Sequence, residues 1–192
     1  MIETLSNIAT SFGLASSAGL NAYLPLLIVA LTARFTTLLT LNPPFNALTD
    51  NLVIGVLVVL LLIETFVDKV PAVDTINDAI QTFVRPVAGA ILFAANASVI
   101  SDMSPALAVV CGLVLAGGVH AVKATVRPVV TASTGGLGNP VVSTAEDVAS
   151  AAVTVTAILW PLVGVALLVA LAATVFLWRM RRADEPSARP RG

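Results

Sequence analysis

The stretch Ala116-Gly117-Gly118-Val119-His120-Ala121-Val122-Lys123-Ala124-Thr125-Val126-Arg127-Pro128 constrains this chain most, because it places three basic side chains inside a long apolar segment. On a helix, His120, Lys123 and Arg127 fall at i, i+3 and i+7, so all three share one face. Ionisable groups at membrane depth are costly, turn towards protein or water, and mark function by default. The remainder of the chain is therefore read for what pairs with that face.

Of 192 residues, 57% are hydrophobic and 11% charged, against about 25% charged in a soluble domain. The balance is that of a membrane protein, with the lipid bilayer as its first partner. A net charge of −1 offers no broad basic surface to phosphates, which excludes nucleic acid as a partner. The single cysteine, Cys111, lies in an apolar run and reads as a packing residue, with no disulfide framework. The first seven residues carry Glu3 and no Lys or Arg, so they lack the positive region of a signal peptide, and the first span is expected to insert uncleaved.

Five apolar segments follow. The first, residues 8–35, is rich in small residues at its start and is interrupted by Asn21 and Pro25; the proline removes a backbone donor and invites a kink. The second, 52–66, ends in Glu64, Asp68 and Lys69, with the two carboxylates at i, i+4. Pro71-Ala72-Val73-Asp74 reads as a helix start with Asp74 as cap. Asp74, Asp78, Gln81 and Arg85 then form a polar stripe, with Asn77 beside it, before an expected break at Arg85-Pro86. The fourth segment, 105–131, carries the basic face. A Gly-rich loop, Thr131 to Pro140, leads to the last apolar region, 142–178, which Trp160-Pro161 divides. A helix of that length would overshoot a ~30 Å hydrocarbon core. Arg179-Met180-Arg181-Arg182 reads as a stop-transfer cluster that favours a cytoplasmic C-terminus in the cell (inner) membrane, and the tail 179–192 as disordered.

The chain also resembles itself. Gly19-Leu20-Asn21-Ala22 matches Gly118-Val119-His120-Ala121, and Pro71-Ala72-Val73-Asp74-Thr75-Ile76-Asn77-Asp78 matches Pro140-Val141-Val142-Ser143-Thr144-Ala145-Glu146-Asp147. Arg85-Pro86-Val87-Ala88-Gly89 matches Trp160-Pro161-Leu162-Val163-Gly164 in the same order. In the second copy Ser143 and Glu146 have the spacing of a capping box. Duplicated halves with broken helices are the sequence pointer to transporter folds, whose site lies at the repeat interface near the midplane. The reading is an all-α, polytopic transmembrane helical bundle with about five spans, some broken or re-entrant. Repeat one covers about 8–99 and repeat two about 105–178, within a transmembrane domain of 1–178. The segments before Arg85-Pro86 and before Trp160-Pro161 are the ones expected to re-enter.

At the Gly-x-Asn-Ala helix, the His120 to Arg127 stretch, and the run Thr134-Gly135-Gly136 to Asn139-Pro140 to Glu146-Asp147, the chain resembles the bacterial membrane family of domain of unknown function 4126. The resemblance covers most of the chain apart from the tail. It implies an integral membrane protein and supplies no catalytic or binding residues.

Function follows from the charges. A transporter or channel for a small ion or polar solute would place His120, Lys123 and Arg127 opposite Glu146, Asp147, Asp74 and Asp78. Asn21, Asn77, Arg85 and Ser143 complete the expected ion- or substrate-binding set. Helix N-termini at Asp74 and Ser143 would add partial positive charge, and His120 can shuttle a proton near neutral pH. Against this stand bland readings: buried salt bridges that only orient helices, and Lys123 and Arg127 snorkelling to the interface. The Gly-rich loop lacks the spacing of a nucleotide-binding loop and reads as a turn. An enzyme is not expected, since the chain has one histidine and neither His-Glu-x-x-His nor Gly-x-Ser-x-Gly. No cofactor is expected, and carboxylates alone leave any metal unassigned. The alternative is a structural or assembly protein packing through Gly117-Gly118 and the small-residue face of the first segment. Its Gly-rich faces point to a homo-oligomer.

Overall fold

The computed structural model describes residues 2–41, 43–67, 71–96 and 103–161, with positions 163, 170, 173 and 174; side chains are not described at 2, 3, 71–76 and 78. Among the described residues the structure is all-helical. Its elements are α1 (Ile2–Leu20), α2 (Tyr23–Phe35), a 3-10 turn (Phe45–Thr49), α3 (Asn51–Val67), α4 (Pro71–Ala95), α5 (Pro105–Thr134) and α6 (Asn139–Leu159). Two of these, α5 and α6, are long and apolar enough to cross a membrane. Asp68, Lys69, the Arg179 to Arg182 cluster and most of the segment after Pro161 lie outside the described residues, as do the side chains of Asp74 and Asp78.

Local chemistry explains most helix ends. The Ser104 hydroxyl accepts from the Leu107 amide at the start of α5, and Gly135 closes it in the left-handed conformation at φ 61°. The Gly-rich turn is only Gly135 to Gly138. Its amides are spent internally, Gly136 N–H on the Thr131 carbonyl and Gly138 N–H on the Thr134 hydroxyl, so they form no anion-binding nest.

Four local expectations are corrected. The first segment breaks at Asn21-Ala22, and Pro25 sits in the first turn of α2, where a missing N–H costs nothing. Helix α4 runs unbroken through Pro86, because the loss of one backbone bond is outweighed by burial of the following turns. Asp74 lies inside α4, which starts at Pro71, and Ser143 lies inside α6, whose cap is Gly138. Neither residue caps a helix, and the Ser143–Glu146 box is absent. Within the single chain a Cβ on Gly118 would meet nothing within 4 Å and one on Gly117 only a ring carbon of Pro86, so this pair packs closely against no helix of its own chain.

Close approach occurs elsewhere. A Cβ on Gly19 would stand 2.6 Å from both the Ala116 carbonyl oxygen and the Val119 Cβ, and one on Gly13 would stand 2.5 Å from the Ala157 Cβ. Gly89 and Gly112 pack backbone to backbone across α4 and α5. These contacts set α1 in the centre, against α4, α5 and α6. Small residues let backbones meet at distances larger side chains forbid.

The helices form three hairpins, α1–α2, α3–α4 and α5–α6, all opening towards one end of the bundle. At that end Ser6, Asn7 and Thr10 of α1 share a polar recess of about 580 Å³ with Leu39 and Thr40 beyond α2 and with Asn96 beyond α4. Leu41 bridges to Asn96, whose amide donates to the Asn7 carbonyl at 3.2 Å. The chain therefore reverses at Asn21-Ala22 and does not cross the bundle as one kinked helix. The chain thus turns back within the first segment, which is neither of the two expected to re-enter, those before Arg85-Pro86 and before Trp160-Pro161.

Two of the three sequence matches differ in local structure: Gly19 to Ala22 is a hairpin tip and Gly118 to Ala121 the middle of α5, while Arg85-Pro86 is helical and Trp160-Pro161 follows a helix end. In the other, Pro71 to Asp78 and Pro140 to Asp147, both copies open a helix, α4 and α6. Around an apolar core that includes Leu14, Val29, Leu92 and Phe93, charged side chains are buried and large apolar ones face outward. Arg85 is 0% exposed while Phe83, two residues away, is 77% exposed, and Leu52 on α3 is 78% exposed.

Candidate functional site

The site is built on the tip of the α1–α2 hairpin. Breaking a helix leaves carbonyls at one end and amides at the other without partners. Asn21 Oδ1 accepts from the Tyr23 and Leu24 amides at 3.0 and 2.9 Å, the first two of α2. Its Nδ2 donates to Asp147 Oδ1 on α6 at 2.9 Å. The Lys123 ammonium on α5 donates to the Leu20 carbonyl at 3.2 Å, at the end of α1. The tip is thus held by a carboxamide on its amino side and a cation on its carbonyl side, the polarity that helix dipoles favour.

Two ionic groups flank the tip. Glu146 Oε2 receives Lys123 Nζ at 2.8 Å and an Arg127 Nη at 3.3 Å, so one carboxylate oxygen ties two cations of α5 to α6. Arg85 donates to Glu64 Oε1 of α3 at 3.1 Å, with both side chains essentially without solvent contact. Its other Nη lies 2.9 Å from His120 Nδ1, and His120 Nε2 lies 3.1 Å from the Thr82 hydroxyl. A guanidinium only donates, so Nδ1 accepts, the ring proton is on Nε2 and faces Thr82, and the imidazole is neutral. Gln81, one turn before Arg85, is buried close to Tyr23 at the start of α2.

Below the tip, α1 and α6 meet along a buried hydroxyl seam. The Thr154 hydroxyl donates to Ser17 Oγ at 2.9 Å, the Ser150 hydroxyl to the Ser17 carbonyl at 3.0 Å, and the Thr10 hydroxyl to the Ala157 carbonyl at 3.0 Å. Thr10, Ser17 and Asn21 lie on one stripe of α1, and Asp147, Ser150 and Thr154 on the facing stripe of α6.

Of the residues expected to form the site, the structure brings together Asn21, Arg85, His120, Lys123, Arg127, Glu146 and Asp147. Lys123 and Arg127 turn inwards, not out to the interface. Asn77 is half-buried on α4, two turns before Arg85, and Ser143 is buried a turn before Glu146. The Asp74 and Asp78 side chains lie outside the described residues. The reading of the sequence missed Glu64, taken as the end of a span beside Asp68 and Lys69. Its signal was the one used for His120: an ionisable side chain in an otherwise apolar helix. Gln81, Thr82 and Tyr23 join only because three helices converge. Among the described residues, no three His, Cys, Asp or Glu side chains are grouped as a metal ion would need.

The helix break, the basic stripe of α5 and the Glu146-Asp147 pair of α6 all fall within the region matched by the family model described as Domain of unknown function (DUF4126), residues 8–182. The chain belongs to the DUF4126 family. No curated protein and no solved structure matches it.

Proposed function

We propose that the protein moves a small ion or polar solute across the cell membrane, with its site at the hairpin tip. One observation carries this reading. The α1–α2 hairpin turns inside the bundle, level with buried charges from α3, α4, α5 and α6. At ~1.5 Å per residue, α5 continues about 16 Å past Lys123 and α6 starts about 12 Å before Asp147. Helix α6, with 21 residues, is about 31 Å long, the thickness of a ~30 Å hydrocarbon core. Its Asp147 and the tip then sit near the midplane. Non-helical backbone at that depth is tolerated only inside protein or beside a water-filled path. Discontinuous helices with charged partners at the midplane are the construction of ion and solute sites in transporters.

The outward display of Leu52, Phe66, Phe83 and Val129 supports lipid, or a second copy of the chain, as what covers the bundle. An assembly role alone gives no reason for desolvating Arg85, Glu64 and Lys123, each of which costs several kcal/mol before pairing. The test is flux into liposomes holding the purified protein, over a panel of cations and anions, with and without an imposed pH gradient. Protein-dependent flux that His120→Ala and Glu146→Gln abolish is the expected result. Folded, inserted protein that passes none of the panel would overturn the reading for small ions.

A further inference from the structure

We infer that the coupling ion is the proton and that Lys123 carries it. This rests on the transport reading of the hairpin tip and names the ion that drives it. Of the charges that meet there, only Lys123 can give up a proton without stranding a partner. Arg85 and Arg127 are guanidinium groups, which stay protonated in proteins. His120 already has its Nδ1 occupied as the acceptor of the Arg85 bond at 2.9 Å, so it has no second proton to give. Protonating Glu146 would take away the one carboxylate that both Lys123 and Arg127 contact, through its Oε2. Protonating Glu64 would strand Arg85, which is 0% exposed. Lys123 differs from all of them. If it loses its proton, Glu146 keeps Arg127 at 3.3 Å, and no carboxylate is left without a cation.

The charged groups that act on the ammonium are Glu146 from α6, Arg85 from α4 and Arg127 from its own helix, with Asp147 next to Glu146 in the chain and His120 one turn before Lys123. From α1 it meets the Leu20 carbonyl. Asp147 is engaged with Asn21 at 2.9 Å. The ammonium is therefore a latch with two holds, the Leu20 carbonyl at 3.2 Å and Glu146 at 2.8 Å. Together these tie the end of α1 to α6. On release, one N–H bond of the ammonium breaks, its electron pair stays on nitrogen, and the proton passes to a water molecule at the tip. The neutral amine no longer carries the charge that held it between carbonyl and carboxylate, and the tip is free to move. Rebinding the proton closes the latch, so one proton is exchanged per opening.

The test reads the tip directly. Ala22, 0% exposed beside Asn21, is replaced by cysteine in a Cys111→Ala background, and the protein is reconstituted in liposomes. The rate of modification by a membrane-permeant maleimide is measured from about pH 6 to about pH 9, and compared with the same protein carrying Lys123→Arg or Lys123→Met. The arginine variant supplies the intrinsic rise of thiol reactivity with pH. The expected ratio of the Lys123 rate to the Lys123→Arg rate climbs about tenfold per pH unit, as the neutral amine does below its midpoint. Lys123→Met is expected to label faster than Lys123→Arg by the same large factor at every pH. Each comparison decides alone, so a variant that fails to elute as folded protein does not leave the question open. A ratio that stays flat with pH, or a methionine variant as shielded as Lys123 at pH 6, overturns the inference whatever the flux assay shows. Absent flux with a rising ratio instead overturns the transport reading and leaves a proton-operated latch.

Discussion

Arg85 shows what a single residue does here. Its guanidinium has no solvent contact, and it satisfies Glu64 on one side and His120 on the other. Taking such a pair out of water costs several kcal/mol per ion, and the mutual attraction repays this only while both partners are present. Glu64→Gln, which leaves the guanidinium buried without its counter-charge, is expected to lower stability by about 3–5 kcal/mol. The double replacement Glu64→Leu with Arg85→Met is expected to recover most of that loss. Unfolding in mild detergent, followed by helical circular dichroism, measures both. A single variant as stable as the parent would show that the pair lies in water. Lys123 and Arg127 obey the same physics, with one difference: they share one carboxylate oxygen, so either can leave without stranding Glu146.

At the scale of elements, backbone proximity matters more than side-chain volume. Helix α1 reaches the centre of the bundle because Gly13, Gly19, Gly89 and Gly112 leave room for neighbouring backbone and methyl groups. A methyl at Gly89 falls on the Ala116 side chain and 2.7 Å from the Gly112 carbonyl oxygen. Gly89→Ala is therefore expected to cost about 1–3 kcal/mol through overpacking. Gly118→Ala, in a helix interior with nothing within 4 Å, is expected to gain about 0.5–1 kcal/mol by removing glycine's conformational freedom. Paired melting curves of the two variants decide it, and equal effects would contradict the packing described here. The hydroxyl seam of Ser17, Ser150 and Thr154 adds short polar contacts along the same α1–α6 interface, the bonding that serves where hydrophobicity gives helices no reason to associate.

For the whole molecule, the decisive feature is direction. With α1–α2 a hairpin, the start of α1 and the 36–50 connection lie at one end of the bundle, and the α5–α6 turn lies at the other. A first segment crossing once would put the N-terminus and that connection on opposite faces. In a Cys111→Ala background, single cysteines at Ser6 and Asp50 are expected to react with an impermeant thiol reagent from the same side of oriented vesicles. One at Ser133 is expected to react from the other side. Reaction of Ser6→Cys and Asp50→Cys from opposite sides would rule out the hairpin.

The sequence by itself determined the class of the molecule and most of its charged centre. Apolar runs of helix length, the stripe of His120, Lys123 and Arg127, and the carboxylates after Asn139 are local patterns that need no neighbour to be read. The likeness to the DUF4126 family was legible for the same reason. Only the tertiary structure decided where the chain reverses, because Asn21 ends a helix when Asp147 and Lys123 are there to hold the freed ends. Proline alone misled: Pro86 is carried through α4, and Pro25 falls in a first turn where its missing donor has no consequence. Glu64 entered the site for a reason no local pattern contains, which is that α3 and α4 meet where Arg85 is buried. Local spacing says which groups share a face, but their partners are set by which helices pack together.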